Sequence, residues 1–513
     1  DLSALNSPYC FNFSTYDVAL QGLPFVKKII SGPPKHLSSF VGQMIHFTVY
    51  ASNSIAGACG LADFLIVMAY YVDKLKKEHP YKDEASLNKA VKQELQSFIY
   101  SCNQPFRGGH QSGFYNVSIF DRIFLEKMVK DYIFEDDITP EIETVLFLQN
   151  MYLDLMNETM SITPITFPVT TGCFATEEID GKIEVTDKEY LRYMSEKNLE
   201  FGFINFYFGK TSTLSSCCRL RSDSSNEYFN SFGSGSSKIG SLGVVSLNLP
   251  RIAFQYKTEE TFIKRLEELA ERAVKINNIK RFLLRKRIKN NNLPLYDHGF
   301  MDLNKQYSTI GDNGINEAVE EMGLDILKPD GQVFVKKILD KINEVNDRAQ
   351  KQYKTPHNQE QVPAENSSIK MADKDKLLGL QNKYFLYSNQ FIPLTTKADL
   401  LDRIRLQGLF DSSMSGGAIC HLNVEQKITD AKKMYDLLIH SAREGVIYLA
   451  VNYTILQCEN NHMTIGKSKT CSICGAPITT EYTRVVGFLT ATKNWSKTRR
   501  QEDWPNRVFY DKL

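Results

Sequence analysis

The chain has 513 residues, with 61 Lys and Arg against 60 Asp and Glu and a formal net charge of +1. So even a balance gives no global electrostatic case for nucleic acid or for an anionic membrane surface. Hydrophobic residues at 42% and charged residues at 24% exclude disorder and fit a globular chain of about three domains or one large barrel.

Residues 61–77 and 84–100 have helical apolar spacing, the second with Leu87, Val91, Leu95 and Phe98 on one side. The stretch 55–72 is the serious candidate for a membrane span. It carries Asp63 and two glycines and runs into Asp73-Lys74-Leu75-Lys76-Lys77, so a buried helix is the better reading. A Gly-rich turn at Arg107-Gly108-Gly109 leads to a strand over 113–119. Residues 140–157 are helical, and 161–174 alternate as a strand rich in Thr, Pro and β-branched residues.

A buried strand is expected over 201–208, followed by SSCCRLRSD, a Gly/Ser loop over 232–241, and a strand over 242–249 stopped by Pro250. Residues 258–289 form a long charged helix. Its basic end, 280–289, reads as a solvated face at a helix C-terminus rather than a nucleic-acid site. Further helices are expected over 315–322 and 333–353. Strands alternating with long helices give an α/β fold around a mixed sheet, closed or open.

Ten cysteines are too few for a disulfide scaffold. Cys217 and Cys218 are adjacent, and Cys458, Cys471 and Cys474 cluster near the C-terminus. That pattern suits a reducing, cytoplasmic compartment where thiols bind metal or do redox chemistry. The chain shows no secretory signal and opens at Asp1, so a further N-terminal segment is expected upstream.

The clearest local signal is Cys458-Glu-Asn-Asn-His462, eight intervening residues, then Cys471-Ser-Ile-Cys474-Gly475. Two close pairs of thiolate and imidazole donors suit tetrahedral zinc, and four protein ligands make that zinc structural. A pair of buried thiols is the plainer alternative, and His462 is the least diagnostic member.

Thirteen residues after Cys474 comes Gly487, in Arg484-Val-Val-Gly487-Phe488-Leu. A glycine in a short apolar run marks a bulge or a close backbone approach. It can also carry a Cα radical, because the flanking amide nitrogen and carbonyl share the spin and the centre is free to flatten. Such a centre needs a closed interior within reach of a sulfur. In Pro363-Ala-Glu365-Asn366-Ser367-Ser368, a Ser- and Asn-rich turn before a helix offers N–H groups and hydroxyls to an anion. An ordinary N-cap by Asn366 or Ser367 is the alternative.

RVVGF around Gly487, the Cys pairs before it, SSCCRLRSD and LGVVSLNLPRIA together resemble the anaerobic, glycyl-radical (class III) ribonucleotide reductases. SPYCFNFSTYDVALQG, SNSIAGACGLAD, FRGGHQSGFYN, TIGDNGINEA and VPAENSS extend the likeness over nearly the whole chain, in the family's order. The resemblance implies a ten-stranded α/β barrel over 1–455 and a small zinc and glycyl-radical domain over 456–513. The family's regulatory ATP cone would lie upstream of this chain.

By the same resemblance, Gly487 stores the radical, and Cys218, directly before Arg219, becomes the thiyl that takes the ribose 3′ hydrogen. Two buried thiols on opposite faces of a strand are the plain alternative for Cys217 and Cys218. Cys10 matches the reducing-face cysteine. Cys173 is expected as its partner, with Cys217 behind it, although a lone Cys173 is otherwise simply buried.

Asn366, Ser367 and Ser368 would hold the nucleotide's phosphates, with Ser241 also among the substrate-binding residues. Glu365 would act as acid or base at the 3′ hydroxyl, or merely close its turn. Gln111 and Asn116 line the barrel or serve structural hydrogen bonding. The 232–241 loop would help couple effector binding to base choice.

Formate-using members carry Met where this chain has Ser216 and Asn where it has Ser241, so a thioredoxin-like dithiol reductant is expected instead of formate. The resemblance also implies a homodimer, a radical-SAM iron–sulfur activating enzyme using S-adenosylmethionine, triphosphate substrates, and ATP and dNTP effectors. The sequence leaves two rivals. One is a pyruvate formate-lyase-like enzyme, against which the zinc knuckle and PAENSS count. The other is a non-catalytic paralogue, against which Gly487, Cys218 and Cys10 count.

Overall fold

The computed structural model describes residues 7–25, 30–78, 83–109, 111–216, 220–223 and 238–511. Cys217, Cys218 and Arg219 lie outside the described residues, as does most of the 232–241 loop.

The main sheet begins with five parallel strands: β1 (Cys10–Asn12), β2 (Cys59–Gly60), β3 (Tyr115–Phe120), β4 (Val169–Ile179) and, after the short β5 (Lys182–Val185) paired to β4, β6 (Ile204–Gly209). An antiparallel hairpin follows, β7 (Thr213–Ser216) with β8 (Leu220–Asp223). β7 runs close to β3, β4 and β6. The second half is formed by β9 (Ile239–Asn248), β10 (Gln306–Asn313) and β11 (His357–Gln361), with β12 (Cys420–Asn423) and β13 (Tyr448–Asn452) at the other end.

The order across the sheet is β11-β10-β9-β1-β2-β3-β4-β6-β13-β12. Pairing is parallel within each group and antiparallel at two junctions, β1 with β9 and β6 with β13. The two ends approach each other: the Gly416 N–H donates to Gln359 O at 2.6 Å and the Gln361 N–H to Gly417 O at 3.1 Å. The antiparallel junctions set the C-terminal ends of the second half beside the N-terminal ends of the first, on one rim.

Strand alternation sends successive side chains to opposite faces. Asn116, Thr171, Asn205 and Tyr448 share one face, where the Asn116 amide donates to Thr171 Oγ1 at 2.9 Å and the Asn205 amide to the Tyr448 hydroxyl at 3.2 Å. Val117, Ile119, Ile204 and Phe206 take the other face and join the apolar core under the helices. Helices Leu37–Ser54, Phe64–Glu78, Glu84–Cys102 and Ile142–Met160 cover the first half, while Glu259–Lys289 and Pro329–Tyr353 cover the second.

The apolar stretch 55–72 ends in the buried helix Phe64–Glu78. Asp63, just before it, accepts from the Ser14 hydroxyl at 2.8 Å and the Thr15 N–H at 2.9 Å, which accounts for a carboxyl in that setting. Among the described residues no helix is long and apolar enough to cross a membrane.

Two expectations need correction. The strand placed at 161–174 begins only at Val169 and continues to Ile179; Pro164 and Pro168 have no N–H for a ladder. The basic end of the long helix is not wholly solvated, since Lys280 and Arg281 are 6% and 2% exposed. Arg281 donates to Leu303 O at 2.7 Å and to Ser308 Oγ at 3.1 Å, tying the helix to the start of β10.

The C-terminal segment builds a separate antiparallel sheet from β14 (Ile455–Cys458), β15 (Met463–Ile465), β16 (Ile478–Arg484) and β17 (Leu489–Ala491), in the order β15-β14-β16-β17. Tyr482, Phe488 and Leu489 pack against the main core.

Candidate active site and metal centre

Cys458, His462, Cys471 and Cys474 each bring one donor atom to a cluster in which all lie within 4.8 Å of one another. The sulfurs of Cys458 and Cys474 are 3.9 Å apart, as are Cys471 Sγ and His462 Nδ1. Tetrahedral zinc with bonds of about 2.3 Å to sulfur sets its thiolates about 3.8 Å apart, so the donors fit that ion. Gly475 makes the knuckle possible, with a left-handed φ of 74° that a side chain would resist. Its N–H donates to Cys471 O at 2.9 Å. The Cys474 thiol is drawn down to about 6, chiefly by the Ala476 N–H, which favours the thiolate a metal binds.

Gly487 is buried in the turn of the β16–β17 hairpin, whose pairing closes at Arg484 and Leu489. The Phe488 ring packs against Phe114 at 5.2 Å and Phe167 at 5.6 Å, at the entries to β3 and β4. A cavity of about 30 Å³ touches Gly487, Phe488, Pro168 and Phe201. That is room for a water or a methyl group.

Two buried arginines hold the turn. Arg484 donates to Gly202 O at 2.8 Å, Asn452 Oδ1 at 3.1 Å and Val451 O at 3.3 Å. Arg507 donates to the Arg484 carbonyl at 2.9 Å and the Val485 carbonyl at 2.8 Å, with its guanidinium 4.8 Å from the centre of the Trp495 ring.

Cys10 is half-buried at the start of β1, and its Sγ accepts from the Ala58 N–H at 3.2 Å. A Cβ at Gly57 would fall 2.3 Å from that sulfur, so only glycine allows the approach and the SPYC and IAGACG motifs meet here. Cys10 is register partner to Ser241, whose hydroxyl is 2.8 Å from the Thr309 hydroxyl.

Cys173 is not brought to Cys10. The registers Phe11–Cys59–Tyr115 and Asn116–Val169 put it three strands across and six residues further along. That is about 20 Å along the strands alone, whereas a disulfide needs Cα atoms within about 7 Å. Burial also pushes its thiol far above the usual range. Cys173 is a core residue, and the expected pairing with Cys10 is withdrawn.

The 363–368 turn follows β11 on the same rim as Gly487. Ala364 takes a left-handed φ of 47°, and the Ser368 N–H donates to Ala364 O at 2.7 Å as helix Ser367–Leu377 begins. Asn366 makes no side-chain cap, so the capping role is not realised there. Asn366 and Ser367 are exposed, Glu365 is half-buried, and Ser368 is buried with its hydroxyl donating to Glu365 O at 3.1 Å. Asp375 anchors the helix by accepting from the Tyr387 hydroxyl at 2.7 Å and the Asn248 amide at 2.9 Å. Gln111 lies at the surface, whereas Asn116 is buried on the polar face of the sheet.

Sequence reasoning missed Arg484, Arg499, Asp503 and Arg507. One signal was available, because both tryptophans of the chain, Trp495 and Trp504, flank the Arg- and Asp-bearing run.

A larger cavity of about 230 Å³ adjoins this region, lined among others by Glu317, Ser388, Val485, Arg499 and Arg507. Glu317 accepts from the Ser388 N–H at 2.7 Å, and burial raises its carboxyl from 4.5 to about 7. A raised value means stability that is fully present below about pH 4.5 and lost as pH climbs through 7. Between pH 5 and pH 8 the wild type should therefore lose roughly 2 kcal/mol more than Glu317→Gln, which keeps the acceptor without the charge. Urea denaturation at the two pH values measures this, and equal losses would show that Glu317 does not titrate there.

Fold and site define an α/β enzyme of ribonucleotide reductase architecture carrying a C-terminal Cys/His metal cluster. A family model described as anaerobic ribonucleoside-triphosphate reductase matches residues 1–510. The chain belongs to this family, whose members are oxidoreductases that make deoxyribonucleotides without oxygen.

A structure described as anaerobic ribonucleotide reductase is 33% identical, with TM-score 0.90 over 99% of this chain and 82% of that one. The anaerobic ribonucleotide reductase from Thermotoga maritima in complex with dATP and CTP is 34% identical, with TM-score 0.86 over 97% and 82%. A glycyl radical enzyme from Archaeoglobus fulgidus, 9% identical with TM-score 0.57 over 95% and 70%, shares the fold alone. No curated protein sequence matches the chain.

Proposed function

We propose that in this anaerobic ribonucleotide reductase Gly487 stores the radical and Cys218 delivers it to the ribose. The supporting observation is the burial of Gly487 in a turn clamped by Arg507, on the rim that also carries Cys10 and the 363–368 turn. Burial there shields a flattened Cα from bulk solvent. The hydrogen of the Cys218 thiol passes to the Gly487 radical, leaving a thiyl that removes the 3′ hydrogen of the nucleotide. The 2′ hydroxyl then departs as water, assisted by a carboxylate such as Glu365. Two electrons come from Cys10 and a second thiol, which close to a disulfide as the deoxyribose forms.

The half-buried Cys10 suits renewal by a thioredoxin-like protein, in line with Ser216 and Ser241 standing where formate users differ. The Asn366 and Ser367 N–H groups and the exposed Ser367 hydroxyl suit the triphosphate, with the Ser368 hydroxyl able to join by leaving Glu365 O and Ser241 nearer the sugar. The bonds from β11 to 416–417 support closure of ten strands into a barrel over 1–455. The antiparallel sheet around the Cys/His cluster supports a zinc and radical domain over 456–513. Bound zinc would supply only cross-linking, since all four positions are protein ligands. The reading includes dATP-type effectors, as in the Thermotoga maritima complex. A homodimer and a radical-SAM activating enzyme using S-adenosylmethionine are included on the family resemblance.

The test is anaerobic EPR after activation, combined with CTP turnover, in wild type and Cys218→Ser. The expected result is a glycyl doublet in both and dCTP formation in wild type alone. Turnover by the serine variant would remove Cys218 from the mechanism, and absence of the doublet from wild type would remove Gly487.

A further inference from the structure

Two parts of the site that lie far apart in sequence, the 363–368 turn and the Gly487 turn, are joined by one buried chain of charged groups. Arg499, Asp503 and Arg507 are 6%, 4% and 6% exposed. Arg499 donates to Glu365 O at 2.9 Å and to Ser368 Oγ at 3.4 Å. Its other end donates to Asp503 Oδ2 at 2.7 Å. Arg507 donates to both oxygens of the same carboxylate, to Oδ1 at 3.0 Å and to Oδ2 at 2.9 Å. It then grips the carbonyls of Arg484 and Val485, the latter two residues before Gly487.

We propose that Arg499, Asp503 and Arg507 are positioning residues that transmit phosphate occupancy of the 363–368 turn to the radical-bearing loop. The inference rests on the phosphate reading of that turn given above. A buried ionic triad contributes little net stability compared with apolar packing, so stability alone is a weak reason for it. Its geometry is specific: each guanidinium has one edge on the carboxylate and another on a backbone carbonyl of a different functional segment. Guanidiniums pair with planar acceptors through fixed forks, so a shift at one edge re-aims the other.

A phosphate at 366–368 competes for the Ser368 hydroxyl and attracts the Arg499 cation, drawing it from Asp503. Asp503 then bears more fully on Arg507, which alters the grip on Val485. The cavity of about 230 Å³ bordered by Val485, Arg499, Asp503 and Arg507 leaves space for those side chains to move. Arg499 and Asp503 also bound a π-helical turn, Arg499–Asp503, a geometry found often at functional sites.

The test is hydrogen exchange of the full chain, with and without CTP, read at 363–370 and at 485–488. In wild type CTP should slow exchange several-fold in both segments. In Arg499→Gln it should slow 363–370 and leave 485–488 unchanged, with partial recovery of the second effect in Arg499→Lys. Should Arg499→Gln not fold, Asp503→Asn carries the same comparison, because it keeps an acceptor while removing the charge. Slowing at 485–488 in the glutamine variant equal to wild type overturns the coupling. Protection of 363–370 alone in wild type also overturns it while leaving the phosphate reading intact. Protection of neither segment overturns the phosphate reading and the coupling with it.

Discussion

On the proposed role of Gly487, replacing Cys471 by serine should loosen the 456–484 segment and abolish the glycyl doublet, although that glycine is no member of the Cys/His cluster. The strands β14, β15 and β17 are four, three and three residues long, and only β16 reaches seven. Strands this short make few ladder bonds, and the sheet leans on its Cys/His knuckle at one end and on the main core at the other, where Tyr482, Phe488 and Leu489 pack. Structural zinc sites contribute about 10–16 kcal/mol, comparable with the whole stability of a domain at about 5–15 kcal/mol. Loss of an ion held by the cluster would therefore free β14 and β16 at the knuckle end. Because β16 runs straight into the Gly487 turn, the loop loses its seat against Phe114 and Phe167. Limited proteolysis should cut the variant, or the chelator-treated wild type, within 456–484 while 1–455 resists, and the glycyl doublet should vanish. Unchanged resistance together with a full doublet would show that the cluster does not seat the loop.

The second large effect is chemical and leaves the fold alone. Gly487→Ala should show no glycyl doublet and a loss of CTP reduction of roughly three orders of magnitude or more. A cavity of methyl size borders Gly487, so the melting temperature is expected to move by only a few degrees, the size expected from about 1 kcal/mol. A methyl crowds the centre that must flatten and denies the activating enzyme a Cα bearing two hydrogens. A folded variant with no radical separates storage at Gly487 from its packing role. A normal doublet in this variant would place the radical elsewhere.

What is legible in the sequence and what is not divides by the range of the interaction. The Cys/His donor set was legible because knuckle chemistry requires fixed local spacing, and all four donors meet in the structure. The helices Phe64–Glu78, Glu84–Cys102 and Glu259–Lys289 were legible because their apolar residues recur at helical period. β11, whose sequence is HNQEQ, was not: all five residues are polar and buried, so it carries no apolar alternation. Lys280 and Arg281 were misread for a related reason, since a basic run says nothing of which members find buried acceptors.

The sequence by itself therefore determined the family motifs and the Cys/His donor set, and singled out Gly487, the cysteine motifs and the Ser/Asn turn as candidates. Tertiary structure alone decided which of these share a rim. It set Cys10 against Gly57 and Ser241, removed Cys173 by register, and joined the 363–368 turn to the Gly487 turn through Arg499, Asp503 and Arg507. The reason is that strand order and register fix distances between residues hundreds apart, and neither composition nor period encodes them.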